Sequence, residues 1–99
     1  MLIAPCTMHM LAKLAYGLTD DAVSLVASAI DRSTTPVILA PAMNTTMLSQ
    51  PATQRNLTTL AADTFSILES EEGWQACKTI GQGRLPEPKP LISAIKAAI

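Results

Sequence analysis

Aromatic residues are almost missing from this sequence, with one Phe, one Trp and one Tyr in 99 residues. Any core must therefore be assembled from Ala, Leu, Ile, Val and Met, in a chain that is 48% apolar. Charge is scarce as well: seven basic and eight acidic residues make up 15% of the chain and leave a net charge of −1. Without a Lys/Arg cluster there is no electrostatic footprint for nucleic acid or an anionic membrane surface. So few charges cover an isolated body poorly, which predicts apolar surface buried against other chains or a further segment. Long apolar runs are absent too, and none approaches the roughly 20 residues that span a bilayer. The opening Met1-Leu2-Ile3-Ala4-Pro5 lacks the basic flank and the length of a signal peptide. The two cysteines, Cys6 and Cys77, lie far apart and form no metal-ligand pattern, which reads as a reduced, cytoplasmic protein without a metal site. Repeats, low-complexity tracts and the glycine-rich dinucleotide fingerprint are likewise missing.

What is present centres on Pro36-Val37-Ile38-Leu39-Ala40-Pro41-Ala42-Met43-Asn44. Residues 36–40 run without polar alternation, as in a strand of a parallel sheet covered on both faces. Pro41 cannot donate a ladder hydrogen bond, so the reading ends the strand there and delivers Asn44 at its carboxyl end. Ligands of open α/β sheets bind at that edge. Asn44 either caps the next helical turn or turns its amide to a ligand, and the residues alone leave both open.

Residues 2–5 read as a second buried strand, and a chain starting inside a strand looks like the later part of a larger α/β domain. Met8, Leu11, Ala12 and Ala15 recur at helical spacing between a Thr7 cap and a Gly17 stop. A second helix is expected behind a Thr19 cap, with Asp20 and Asp21 in its first turn and Val23, Val26, Ala27 and Ile30 as its buried stripe. Pro51 opens a further helix expected to reach about Ala62, and residues 64–68 alternate like a half-buried third strand. Residues 69–88 read as one long loop, too apolar at Trp74, Cys77, Ile80 and Leu85 for a solvated tail. A flap over a ligand is the expected use of such a loop. A short amphipathic helix from Lys89 or Pro90 closes the chain.

Three places could carry chemistry. The Cys6 to Met10 turn resembles a helix start that faces an anionic group or cofactor. Asn44 is the second. Cys77 is the third, either a small buried hydrophobe or an acid delivering a proton beneath a closed flap. His9 reads as a first-turn helix residue rather than a general base.

Taken together, Pro41-Ala42-Met43-Asn44-Thr45-Thr46-Met47 followed by Pro51-Ala52-Thr53-Gln54-Arg55-Asn56-Leu57 resembles the Pro-x-Met-Asn-x-x-Met signature of the cysteine decarboxylase flavoproteins. Ala4-Pro5-Cys6-Thr7-Met8-His9-Met10 resembles that family's Ala-Pro-x-Ser/Thr-Ala-Asn-Thr segment, and residues 75–88 resemble its substrate clamp. The branch most similar acts on phosphopantothenoylcysteine in coenzyme A biosynthesis. The resemblance implies an α/β fold, a Rossmann-like three-layer parallel sheet, of which residues 1–99 are the C-terminal part with a clamp loop at 69–88. It implies FMN-dependent decarboxylation of a cysteinyl carboxylate in a homotrimer or higher homo-oligomer. FMN would touch Thr7, Met8, His9, Met10 and Ala42; Asn44 would hold the substrate carboxylate; Cys77 would protonate the intermediate. Two rivals stand beside this reading: a related decarboxylase acting on a peptide C-terminal cysteine, and a non-catalytic truncated subunit that only oligomerises. Departures from the family pattern are His9 for Asn or Asp, Met10 for Thr, and Lys78-Thr79 for Gly-Asp after the cysteine. The family's N-terminal half, with its phosphate loop and catalytic histidine, has no counterpart here.

Overall fold

The computed structural model describes the backbone of residues 1–69, 71–74 and 80–99, and the side chains outside 70–84. The first strand, β1 (Leu2–Cys6), leads through α1 (Met8–Tyr16) and α2 (Ala22–Ala29) into β2 (Ile38–Pro41). A single turn of helix, α3 (Thr45–Ser49), and the longer α4 (Pro51–Ala62) then return the chain to β3 (Ser66–Ile67). The three strands form one parallel sheet in the order β1-β2-β3, with Leu2 opposite Ile38, Ile3 opposite Leu39, and Leu39 opposite Ile67. Parallel neighbours need crossover connections, and both crossovers here are helical. The helices α1 and α4 pack against each other, which places both on one face of the sheet. This is a Rossmann-like α/β architecture.

The central strand is where sequence and fold agree most closely. All four residues of β2 are buried, and Leu39 joins Ile3, Leu11, Leu14, Val37, Leu60 and Phe65 in the core. It begins two residues later than expected, at Ile38, and ends one residue later, at Pro41. Pro41 still pairs with Cys6 as the last residue of the strand, because the next amide, that of Ala42, donates to the Cys6 carbonyl at 3.2 Å. A proline does not interrupt the ladder where its neighbour supplies the donor. Between Ile3 and Cys6 the register shifts, at the cis Ala4-Pro5 peptide bond.

Helix α1 has the predicted ends. Thr7 Oγ1 accepts the Met10 N–H at 3.1 Å, and Gly17 closes the helix at φ +70°, a conformation that costs glycine little. Helix α2 departs from expectation. Asp21, not Thr19, is its cap, accepting the Ser24 N–H at 2.8 Å, and the helix buries Ser24 and Ala27. Val23 and Val26 remain 41% and 49% exposed. Small side chains let α2 approach its neighbour closely, so its large ones turn outward, beside exposed Tyr16, Leu18 and Leu25.

The same Asp21 carboxylate, together with Asp20, meets the Lys13 ammonium, whose side chain is only 13% exposed. These contacts tie the end of α1 to the start of α2. The hydrogen bond from Lys13, helped by the Ser24 amide, holds the Asp21 carboxyl down at about 2, below its ordinary 3.8. A carboxylate with a depressed folded pKa adds stability above its unfolded value and loses it as pH falls toward the folded one. Melting temperature is therefore expected to drop more steeply between pH 3.8 and about 2 in the native chain than in Asp21→Asn. Asparagine keeps the cap but cannot titrate. Superimposable pH profiles would show that the Lys13 contacts do not stabilise the fold.

Residues 69–88 are not one loop. They contain an antiparallel pair, β4 (Glu71–Trp74) and β5 (Ile80–Arg84), with Gly73 opposite Gly81 and Trp74 opposite Ile80. Glycines and glutamates disfavour strands in isolation, so local propensity hid this hairpin. The last helix, α5 (Pro88–Ala98), begins within two residues of the expected place. At the other end of the sheet, Arg32 donates to the Asp63 carbonyl at 2.9 Å and lies 4.0 Å over the Phe65 ring. It braces the turn in which Thr64 takes φ +71°.

Candidate active site

Two turns leave the carboxyl edge of the sheet side by side. One runs from Cys6 through the Thr7 cap into α1; the other runs from Pro41 through Ala42 and Met43 to Asn44, the cap of α3. The Ala42 to Cys6 hydrogen bond joins them. Thr7, Met8, His9, Met10, Ala42 and Asn44 are thereby gathered on one edge. Cys77 lies outside the described residues.

On the first turn, Thr7 O accepts the Leu11 N–H at 2.9 Å and Thr7 Oγ1 accepts that of Met10. The N–H groups of Met8 and His9, at the first two helical positions, have no carbonyl behind them in the helix. They are donors at the positive end of a helix dipole, suited to acceptor oxygens of a ligand. Thr7 and His9 are exposed, while Met8 and Met10 are half-buried against the core. Cys6, next to them, is fully buried, and burial pushes its thiol up to about 12. It remains protonated and chemically quiet near neutrality.

On the second turn, the two readings of Asn44 prove compatible. Its Oδ1 accepts the Met47 N–H at 2.8 Å, so it is the cap of α3. That bond also orients the amide: with the oxygen committed to the helix, the Nδ2 group keeps two N–H donors for a ligand. Ala42 has spent its own N–H on Cys6 and presents its methyl and carbonyl.

Two residues that periodicity did not single out hold this turn. Thr53 Oγ1, almost fully buried, donates to the Met47 carbonyl at 2.6 Å, and Gln54 Nε2 donates to the Leu48 carbonyl at 2.7 Å. Both reach back from the first turn of α4 to the end of α3. The only sequence signal for them was their place in the Pro51-Ala52-Thr53-Gln54 run. Beside the turn, at the carboxyl ends of β2 and β3, opens a cavity of about 410 Å³ bounded by Pro41, Leu48, Leu57, Ile67 and Leu68 with Gln54 and Glu69. A second cavity, about 520 Å³, lies at the opposite edge between the starts of β1 and β2 and the end of α5. Among the described residues no group of three or more His, Cys, Asp or Glu could hold a metal ion, and no helix is long and apolar enough to cross a membrane.

The model of the family described as Flavoprotein matches residues 1–99. The chain belongs to the Flavoprotein family. Among its Flavoprotein relatives, the coenzyme A biosynthesis bifunctional protein CoaBC of Bacillus subtilis is 39% identical over 91 residues, covering 92% of this chain and 22% of that protein. A solved variant of PPC decarboxylase complexed with pantothenoylaminoethenethiol superposes with a TM-score of 0.91 at 32% identity, over 97% of this chain and 52% of the other. The FMN binding protein AtHal3 gives a TM-score of 0.84, also at 32% identity, over 97% and 51%. The chain thus spans about half of these solved flavoproteins and under a quarter of CoaBC.

Proposed function

We propose that this chain is the carboxylate-holding portion of an FMN-dependent cysteinyl decarboxylase, and that the substrate is phosphopantothenoylcysteine, converted to phosphopantetheine in coenzyme A biosynthesis. The observation that carries the reading is the Asn44 amide, whose oxygen is fixed by Met47 N–H and whose two remaining donors stand at the carboxyl edge beside the Thr7 turn. Similarity to CoaBC and PPC decarboxylase supports the choice of substrate.

The donor set fits a flavin. The N–H groups of Met8 and His9 and the exposed Thr7 hydroxyl suit the carbonyl oxygens of its ring, and the Ala42 methyl and the half-buried Met8 and Met10 suit its apolar face. When bound there, FMN would supply the redox chemistry, taking two electrons from the cysteinyl thiol and returning them after carbon dioxide has left. The protein groups orient and protonate. Asn44 holds the carboxylate by two neutral N–H donors, which position it without a fixed counter-charge that would favour its staying. Cys77 delivers the proton that the enethiolate carbon needs once the carboxylate is lost. In His9 the chain carries an imidazole where relatives of this pattern carry an amide or carboxylate, so its contact with the flavin differs in donor geometry.

The assembly proposed is a homotrimer in the cytoplasm. The exposed apolar side chains of Tyr16, Leu18, Val23 and Val26, on α1, α2 and the turn between them, support burial against another protein surface. The test is purification of the protein, a visible absorption spectrum, a light-scattering mass, and carbon dioxide release from phosphopantothenoylcysteine. A yellow protein of three times the chain mass that releases carbon dioxide is expected. A colourless protein that releases none overturns the reading.

A further inference from the structure

Asn44 can hold a carboxylate by its nitrogen only while its oxygen stays on the Met47 N–H, and among the described residues that N–H is the one partner its side chain has. The position of Met47 therefore governs the amide. Helix α3 cannot supply that position by itself: it is five residues long and buries none of them, and so short a helix has no stability of its own in water. Its anchorage is the Met47 carbonyl, which accepts the Thr53 hydroxyl at 2.6 Å and the Gln50 N–H at a longer 3.3 Å. Thr53 is 1% exposed and sits in the first turn of α4, a helix that packs on α1 and sends Leu60 into the core. One residue thus carries both halves of a relay: the Met47 carbonyl is pinned to the body of the fold, and its N–H meets Asn44. The bond from Gln54 to the Leu48 carbonyl is exposed, where water competes for the same acceptor, so it holds the turn less firmly.

We propose that Thr53 is a positioning residue of the decarboxylation: its buried hydroxyl fixes the Met47 backbone, the Met47 N–H fixes Asn44 Oδ1, and the Asn44 Nδ2 donors are thereby kept for the carboxylate. The proposal rests on the role given to Asn44 above and adds the residue that maintains it. Without the hydroxyl the Met47 carbonyl loses its buried donor, the single turn of α3 frays, and the Asn44 amide is released to rotate. A rotated amide turns its oxygen to the carboxylate, acceptor against acceptor, so the loss falls on the reaction and not only on the fold. Thr53 acts only through Met47 and Asn44.

The test is a double-mutant cycle. Thr53→Val keeps the shape of the side chain and removes its donor, Thr53→Ser keeps the donor, and each is made in the native chain and beside Asn44→Ala. Carbon dioxide release from phosphopantothenoylcysteine, thermal melting and amide hydrogen exchange are measured on every variant, below its melting temperature. In the native chain Thr53→Val is expected to lower kcat/KM by at least about tenfold, the loss that follows from one buried hydrogen bond, and Thr53→Ser to restore most of it. Beside Asn44→Ala, Thr53→Val is expected to cost no further activity, because no amide is left to orient. The Met47 N–H is expected to exchange about tenfold faster in Thr53→Val, measured against the Ile38 N–H of the central strand, which reports on the fold as a whole. An equal loss of activity in both backgrounds would make Thr53 a purely structural residue and overturn the proposal. So would native turnover in Thr53→Val, failure of Thr53→Ser to restore it, or unchanged exchange at Met47. If Thr53→Val does not fold, Thr53→Cys, which fills the place with a weaker donor, goes through the same comparison. If the native protein releases no carbon dioxide, the functional reading falls and the proposal with it. If it does release carbon dioxide and any of the overturning results is found, the proposal alone falls.

Discussion

Asn44→Asp is expected to leave the protein folded and to cut decarboxylation by about three orders of magnitude. Aspartate caps a helix as well as asparagine does, so the hydrogen bond from Met47 N–H survives and melting temperature changes little. What changes is the other half of the side chain. In the proposed complex two N–H donors become an anionic oxygen facing the substrate carboxylate, and two unit charges about 4 Å apart near a protein surface repel by about 4 kcal/mol. At about 1.4 kcal/mol per decade that is on the order of a thousandfold in kcat/KM. Asn44→Ala separates the two roles: it loses the donors and also about 1 kcal/mol of cap stability. Steady-state kinetics and thermal melting, measured together, distinguish these outcomes. Turnover of Asn44→Asp near the native value would remove Asn44 from the mechanism.

Leu39→Ala should produce the largest loss of stability of any single truncation in the sheet. Leu39 is fully buried in the central strand, pairs with Ile3 on one side and Ile67 on the other, and belongs to the cluster that includes Leu11 and Leu60. Removing its branched end loses transfer free energy and leaves a cavity that its neighbours in the core cluster only partly fill, at about 2–5 kcal/mol. A domain with about 5–15 kcal/mol of stability in all would lose a large part of it. Urea unfolding monitored by circular dichroism measures the shift, and a loss below about 1 kcal/mol would mean that Leu39 is not packed in the core cluster with Leu11 and Leu60 as described.

Several features could be read before any fold was known because the physics behind them is local. Thr7 and Gly17 frame α1 through bonds and dihedrals spanning only a few residues, and Pro51 opens α4 because the first helical position needs no N–H. The buried character of β2 followed from unbroken aliphatic side chains, since only a strand covered on both faces tolerates them. The turns at Thr7 and Asn44 were legible as a pair through their resemblance to a flavoprotein signature. The stripe expected on α2 held at Ala27 and Ile30 and failed at Val23 and Val26, for a reason of the same kind seen from the other side. Periodicity says which residues share a face, and not which face is turned inward. There Ser24 and Ala27 made the closer contact and Val23 and Val26 were left outside.

By itself, then, the sequence determined the two ends of α1, the covered central strand, the family, and which residue types stand at the carboxyl edge. Only the tertiary structure decided how those residues act together. The Ala42 to Cys6 bond that sets two turns side by side, the Thr53 and Gln54 tethers onto α3, and the pairing of β4 with β5 all join groups from six to thirty-six positions apart. Nothing in local spacing encodes such contacts, because their partners meet only after the sheet has formed. The same is true of Asn44, whose identity suggested either a cap or a ligand contact. The commitment of its amide oxygen to the Met47 N–H, which leaves the two nitrogen donors over, is a property of the folded turn.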